Sequence, residues 1–155
     1  MSECIFCRIL GGDLPASFVY RDGHCSAFMD IQPVNAGHVL IVPNRHGAHL
    51  SDIDADSAAH LMRIGHRVAA ALRASHLRCE GVNFLLADGK AAMQEIFHVH
   101  LHVFPRFHGD GFGLKFSPQY HASRPPRTEL DHDAAALRRI IADTPGPSET
   151  TAGER

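Results

Sequence analysis

From Phe97 to Val103 the chain alternates strictly: Phe97, Val99, Leu101 and Val103 take one parity, and His98, His100 and His102 the other. Strict alternation among Val, Phe and Leu predicts a β-strand, Phe97–Phe104, ended by Pro105. A period of 3.6 appears only over Asp54 to about Leu77. There Ala58, Leu61, Met62, Ile64, Gly65, Val68, Ala69 and Leu72 form one apolar stripe and predict the single long helix. Ser17–Arg21 and Cys25–Asp30 read as two strands joined by the hairpin signal Asp22-Gly23. Gly37–Pro43 and Val82–Ala87 read as two more, the second stopped by Asp88-Gly89. Cys4–Leu10 reads as a short helical turn and Leu130–Ile141 as a short amphipathic helix. The order β-β-β-α-β-β, with hairpin-like links early, implies an α+β fold: an antiparallel sheet, one long helix, and short N- and C-terminal helices.

The pattern divides the chain into a main domain over 1–118, a C-terminal extension over 119–143 and a tail over 144–155. The tail is rich in Pro, Gly, Ser, Thr and charge and is expected to be disordered. The 45% apolar and 21% charged residues are ordinary for a globular protein. Net charge is -2 with acids and bases interspersed, so no basic groove suggests nucleic acid and no basic amphipathic stretch suggests a membrane surface. No apolar run approaches a membrane span, and the N-terminus, with Glu3 and no long apolar core, does not read as a signal peptide. The expected compartment is the cytoplasm, where four cysteines need not form disulfides.

On a strand the three alternating imidazoles project from one face, about 7 Å apart. Three titratable rings in a row add little to packing and point to a site. Cys4-x-x-Cys7 has metal-ligand spacing but is a single pair. It reads equally as a redox pair, as two ordinary thiols, or as half of a closed Cys2His2 zinc site completed by histidines. A His-x-His pair can instead hold a catalytic metal. His98 and His102 are roughly 13 Å apart along an undistorted strand, so the three cannot share one ion.

His98-Val99-His100-Leu101-His102-Val103-Phe104 resembles the signature of the histidine triad (HIT) nucleotide hydrolases and transferases. Cys4–Ile9 resembles the start of bacterial members. Phe28–Pro33 followed by Gly37–His46 resembles their nucleoside-binding region, and Pro105–Asp110 the segment after the triad in the Fhit-type branch. The resemblance covers about residues 3–113 and leaves the chain beyond 118 unexplained. It implies a homodimer that binds a purine nucleotide, with no organic cofactor. It implies His100 as the nucleophile on the α-phosphate, with His102 and His38 holding phosphate oxygens or helping the leaving group take a proton. Asp30 would bind the ribose hydroxyls. Phe6, Phe28, Ile31 and Leu40 would form the slot for the base, and Gln94 would bind substrate from the phosphate-side loop. The resemblance also implies one structural zinc per chain on Cys4, Cys7, His46 and His98. The chain departs from relatives at Ala87, where Asn or Gln is frequent, at Met93, where Gly is frequent, and at Glu95, where Ser or Thr is frequent. The expected activity is hydrolysis at the α-phosphate of nucleoside phosphoramidates or dinucleoside polyphosphates through a nucleotidyl-histidine, releasing a nucleoside monophosphate. The alternatives are a nucleotide-binding or regulatory protein with little turnover, and a catalytic metalloenzyme using the His-x-His strand.

Overall fold

The computed structural model describes residues 4–122 and 124–144. The expected disorder from 145 onward lies outside the described residues. The described residues form two compact units, which divide between Phe112 and Gly113.

The first unit opens with α1 (Ile5–Leu10), followed by β1 (Phe18–Arg21), β2 (Cys25–Met29) and β3 (Val39–Pro43). The long helix α2 (Ala55–Ala74), β4 (Gly81–Leu86) and β5 (Leu101–Arg106) complete it. The strands form one sheet in the order β1-β2-β3-β5-β4, and every recorded neighbour pair is antiparallel. The α+β architecture read from the sequence is the one present.

Alternation divides each strand between two cores. Ala27 lies opposite Ile41, and Ile41 opposite Leu101. This row, with Val39, Val99 and Val103, packs under the α2 stripe of Leu61, Ile64, Val68, Ala69 and Leu72. Gly65 lets the helix approach closely, since a Cβ there would stand 2.8 Å from the Phe84 ring and 3.2 Å from Leu101. Asp54 caps the helix by accepting from the Ser57 amide at 2.8 Å. The other parity, Phe28 opposite Leu40 and Leu40 opposite His102, faces a smaller core closed by Phe6, Val42, Phe18 and Ile96. The site lies on this second face.

The expected end of the histidine strand at Pro105 is corrected. The strand runs to Arg106, with Pro105 opposite Val82 on β4. Pairing with β3 has already ended at Val103. Beyond it, the side of β5 where proline lacks an N–H has no strand to bond. Its start is also later than expected, since the ladder begins at Leu101. His98–His100 are held by other bonds, including Val99 N–H to the Gly47 carbonyl at 2.8 Å.

The second unit contains α3 (Gln119–Ala122), which the sequence reading did not anticipate, and α4 (Arg127–Asp143), which begins three residues before the expected helix. On α4, Leu137, Ile140 and Ile141 are exposed. No helix among the described residues is long and apolar enough to cross a membrane.

Candidate active site and metal centre

The three histidines share a face, and their proton positions follow from backbone partners. The ring N–H of His98 at Nε2 donates to the Pro43 carbonyl at 2.9 Å. A carbonyl only accepts, so Nδ1 keeps its lone pair. That Nδ1 lies 3.5 Å from Cys4 Sγ, 3.6 Å from Cys7 Sγ and 3.2 Å from His46 Nδ1, and Cys7 Sγ lies 3.4 Å from His46 Nδ1. Four donors at about 2.0–2.3 Å from a tetrahedral ion are about 3.3–3.8 Å apart. The observed spacings fit that figure, and two sulfurs with two imidazoles suit zinc. The carbonyl that fixes the His98 tautomer is the outer-shell partner such sites use. Burial holds His98 below the usual imidazole pKa, with Pro43 opposing. The neutral form is the one that binds a metal.

His100 is buried, and its Nδ1–H donates to the carbonyl of His98 at 2.8 Å. Its Nε2 therefore carries the lone pair. The ring stands edge-on to Phe6, with centroids 5.3 Å apart, and 4.8 Å from the ring of His102. Phe6 is equally edge-on to His98 at 5.8 Å, so one aromatic wall backs both.

A relay sets the third histidine. The Val34 amide donates to His38 Nδ1 at 3.1 Å. His38 Nε2 must then bear the proton, and it lies 2.9 Å from His102 Nδ1. His102 Nδ1 accepts, which leaves His102 with an outward Nε2–H. Burial, then the nearby His100 and His38 rings, push His102 down to about 4, with Asp30 opposing. Burial also lowers His38, with Asp30 opposing. Both rings are neutral at neutral pH, so His102 offers a hydrogen bond without a full charge.

Asp30 lies 3.6 Å from His38 Nδ1, and its other oxygen accepts from the Gln32 amide at 2.8 Å. Phe6, Phe28 and Leu40 are buried together in the smaller core. Ile31 lies apart from them and is almost wholly exposed. Gln94 is buried with both ends on backbone: its oxygen accepts from Gly89 N–H at 2.7 Å, and its amide donates to Ala48 at 2.7 Å and Ile96 at 3.2 Å. It shapes the loop of residues 89–96. In that loop Met93 adopts a left-handed backbone, φ 69°, which costs a non-glycine residue about 1–3 kcal/mol.

A third group, Asp22, Cys25 and His60, is also compact. Asp22 already accepts from the amides of His24 and Cys25, the Tyr20 hydroxyl and His60 Nε2, each within 2.8 Å. This is the stitching of the β1–β2 hairpin to α2. Burial pushes the Cys25 thiol up to about 12, which leaves it inert.

The sequence reading missed the Pro43 and His98 carbonyls, the Val34 amide and Asn35. The first three are main-chain groups without a residue-type signal.

The family model of the HIT domain matches residues 12–109. The chain belongs to the histidine triad family. A zinc-bound HIT family protein from Mycobacterium smegmatis is 40% identical, with 75% of this chain and 84% of that one covered and a TM-score of 0.69. A HIT family protein from Bacillus anthracis is 31% identical, with 90% and 97% covered and a TM-score of 0.80. That coverage exceeds what residues 1–118 could supply, so the likeness reaches into the extension. The adenosine 5′-monophosphoramidase of Saccharomyces cerevisiae is 39% identical over 105 residues, which are 68% of this chain and 63% of that protein.

Proposed function

We propose that this HIT protein hydrolyses nucleotide conjugates at the α-phosphate, its substrates being nucleoside phosphoramidates or dinucleoside polyphosphates. The observation that carries the reading is the His100 Nδ1–H bond to the His98 carbonyl, which leaves Nε2 as a buried, oriented nucleophile. Nε2 attacks the α-phosphorus. The P–N or P–O bond to the leaving group breaks, and its electron pair departs with that group. His102 Nε2–H lies on the adjacent ring, suited to a phosphate oxygen or to the departing atom. The adduct carries phosphorus on Nε2 and a proton on Nδ1, so it is a cationic imidazole and a good leaving group. Water then cleaves the P–N bond, the nucleoside monophosphate leaves and neutral His100 returns.

In this reading His38 holds His102, Asp30 binds the ribose, and Phe6, Phe28, Leu40 and Ile31 border a purine, while Gln94 keeps the phosphate-side loop in shape. Cys4, Cys7, His46 and His98 hold one structural zinc that ties α1 to the chain before β5. The working form is a homodimer in the cytoplasm. The named activity of the yeast relative supports a phosphoramidate as the first substrate to try.

The test is intact-protein mass spectrometry after brief mixing with adenosine 5′-phosphoramidate or diadenosine tetraphosphate, with His100→Ala as control. A transient adenylyl adduct, absent from the control, is expected. Nucleotide binding without adduct or AMP would replace this reading with a regulatory one.

A further inference from the structure

The loop from Asp30 to His38 is closed on itself. The Asp30 amide donates to the His38 carbonyl at 2.9 Å, and the His38 amide to the Asn35 carbonyl at 3.1 Å. The adjacent Val34 amide is the one that fixes the His38 ring. Nothing in those bonds ties the loop to β5, the strand that carries His102. Asn35 does so. Its side-chain amide donates to the Pro105 carbonyl at 2.9 Å and to Asp110 Oδ2 at 2.8 Å, so both hydrogens are spent on fixed acceptors.

Asp110 is itself buried and heavily bonded. Its side chain is 2% exposed. Arg106 forks onto it, Nε at 2.6 Å and Nη2 at 2.8 Å, and the amides of Phe112 and Phe107 add bonds at 3.1 and 3.3 Å. Arg106 also donates to Asn83 on β4 and to the Phe112 carbonyl. The guanidinium holds the Asp110 carboxyl well below the usual range, so it stays an acceptor throughout the working pH range. Satisfying the Pro105 carbonyl alone needs only one donor. A buried, forked carboxylate that also orients Asn35 is more than that.

We propose that Asn35 and Asp110 are positioning residues: they pin the loop of His38 to the strand of His102, and so keep the relay that presents His102 Nε2–H to the site. The activity arm of this inference rests on the function proposed above; the spectroscopic arm does not.

The experiment records ring ¹⁵N shifts of His38 and His102 by long-range ¹H–¹⁵N correlation, with kcat, KM and thermal midpoint, for the wild type and Asn35→Ala. The wild type should show the single Nε2–H tautomer at both rings. Asn35→Ala should show averaged tautomers at His102 and a kcat on adenosine 5′-phosphoramidate at least tenfold lower, with KM changed less than kcat. If Asn35→Ala does not fold, Asp110→Asn, which keeps shape and removes charge, is read the same way. Unchanged ring shifts in the variant overturn the latch, whatever happens to the thermal midpoint. Averaged shifts with kcat within twofold of wild type also overturn it. A wild type that turns over neither substrate sinks the proposed function, and the ring shifts still decide the latch.

Discussion

The two ends of the histidine run carry groups of similar compactness and opposite use. Cys4, Cys7, His46 and His98 bring four ligand atoms within 4.8 Å of one another, and Asp30, His38 and His102 bring three within the same limit. The difference lies in the protons. At the first group the His98 N–H is turned away to Pro43 and the ring lone pair faces two sulfurs. At the second, Val34 N–H occupies one imidazole lone pair and His38 N–H the next, so the remaining ring nitrogen of His102 is a donor. One end turns a ring lone pair toward its neighbours, and the other ends in a ring N–H. Distances between side chains do not reveal this; backbone acceptors and donors do.

The contrast breaks most visibly at the residue between the two groups. His100→Ala should lower kcat by roughly 10⁴-fold or more while nucleotide still binds, as removing a covalent nucleophile does. Steady-state kinetics with equilibrium binding checks this, and loss of binding with turnover would undo the assignment. At the cysteine end, Cys4→Ser should release metal and lower the thermal midpoint by roughly 10 °C. Elemental analysis with calorimetry decides it, and unchanged metal content would refute the site. At the other end, His102→Ala should cost about 10²-fold in kcat, with His102→Gln, which keeps an N–H, costing less. Equal losses would mean that His102 acts through its acid form.

The smallest effect is on stability against pH. His102 titrates near 4 when folded and near 6.5 when unfolded. The unfolded chain binds the proton more readily, so this term stabilises the fold above about pH 6.5 and is lost as pH falls toward 4. Chemical denaturation across that window should show a decline that His102→Gln flattens. His98 and His38 shift in the same direction, so the decline should be reduced and not abolished.

Parity was legible in the sequence because the strand period is two and a one-residue slip would reverse every side chain. Val99 and Leu101 do lie in the helix-side core, and His100 does face Phe6. The long helix was legible from its apolar stripe. The end of β5 was not, because whether Pro105 breaks a strand depends on where β3 stops. The exposure of Ile31 was not legible: its residue type reads the same as that of Phe6, Phe28 and Leu40, which the structure buries while it leaves Ile31 in solvent. Gln94 carries a role its identity does not announce: its side chain bonds the backbone of Gly89, Ala48 and Ile96 and so ties the loop to the chain before α2. The start of α4 was obscured by its polar first turn, which has no periodicity to detect.

His98 serves two masters with different atoms. Its ring faces the cysteines and its carbonyl accepts from His100. Any amino acid placed at 98 supplies the same carbonyl. A lineage that lost Cys4 and Cys7 could therefore let the ring drift, while the group that orients His100 would survive each substitution unaltered. The proton on His100 Nδ1 is fixed by a main-chain group that every residue type at 98 supplies.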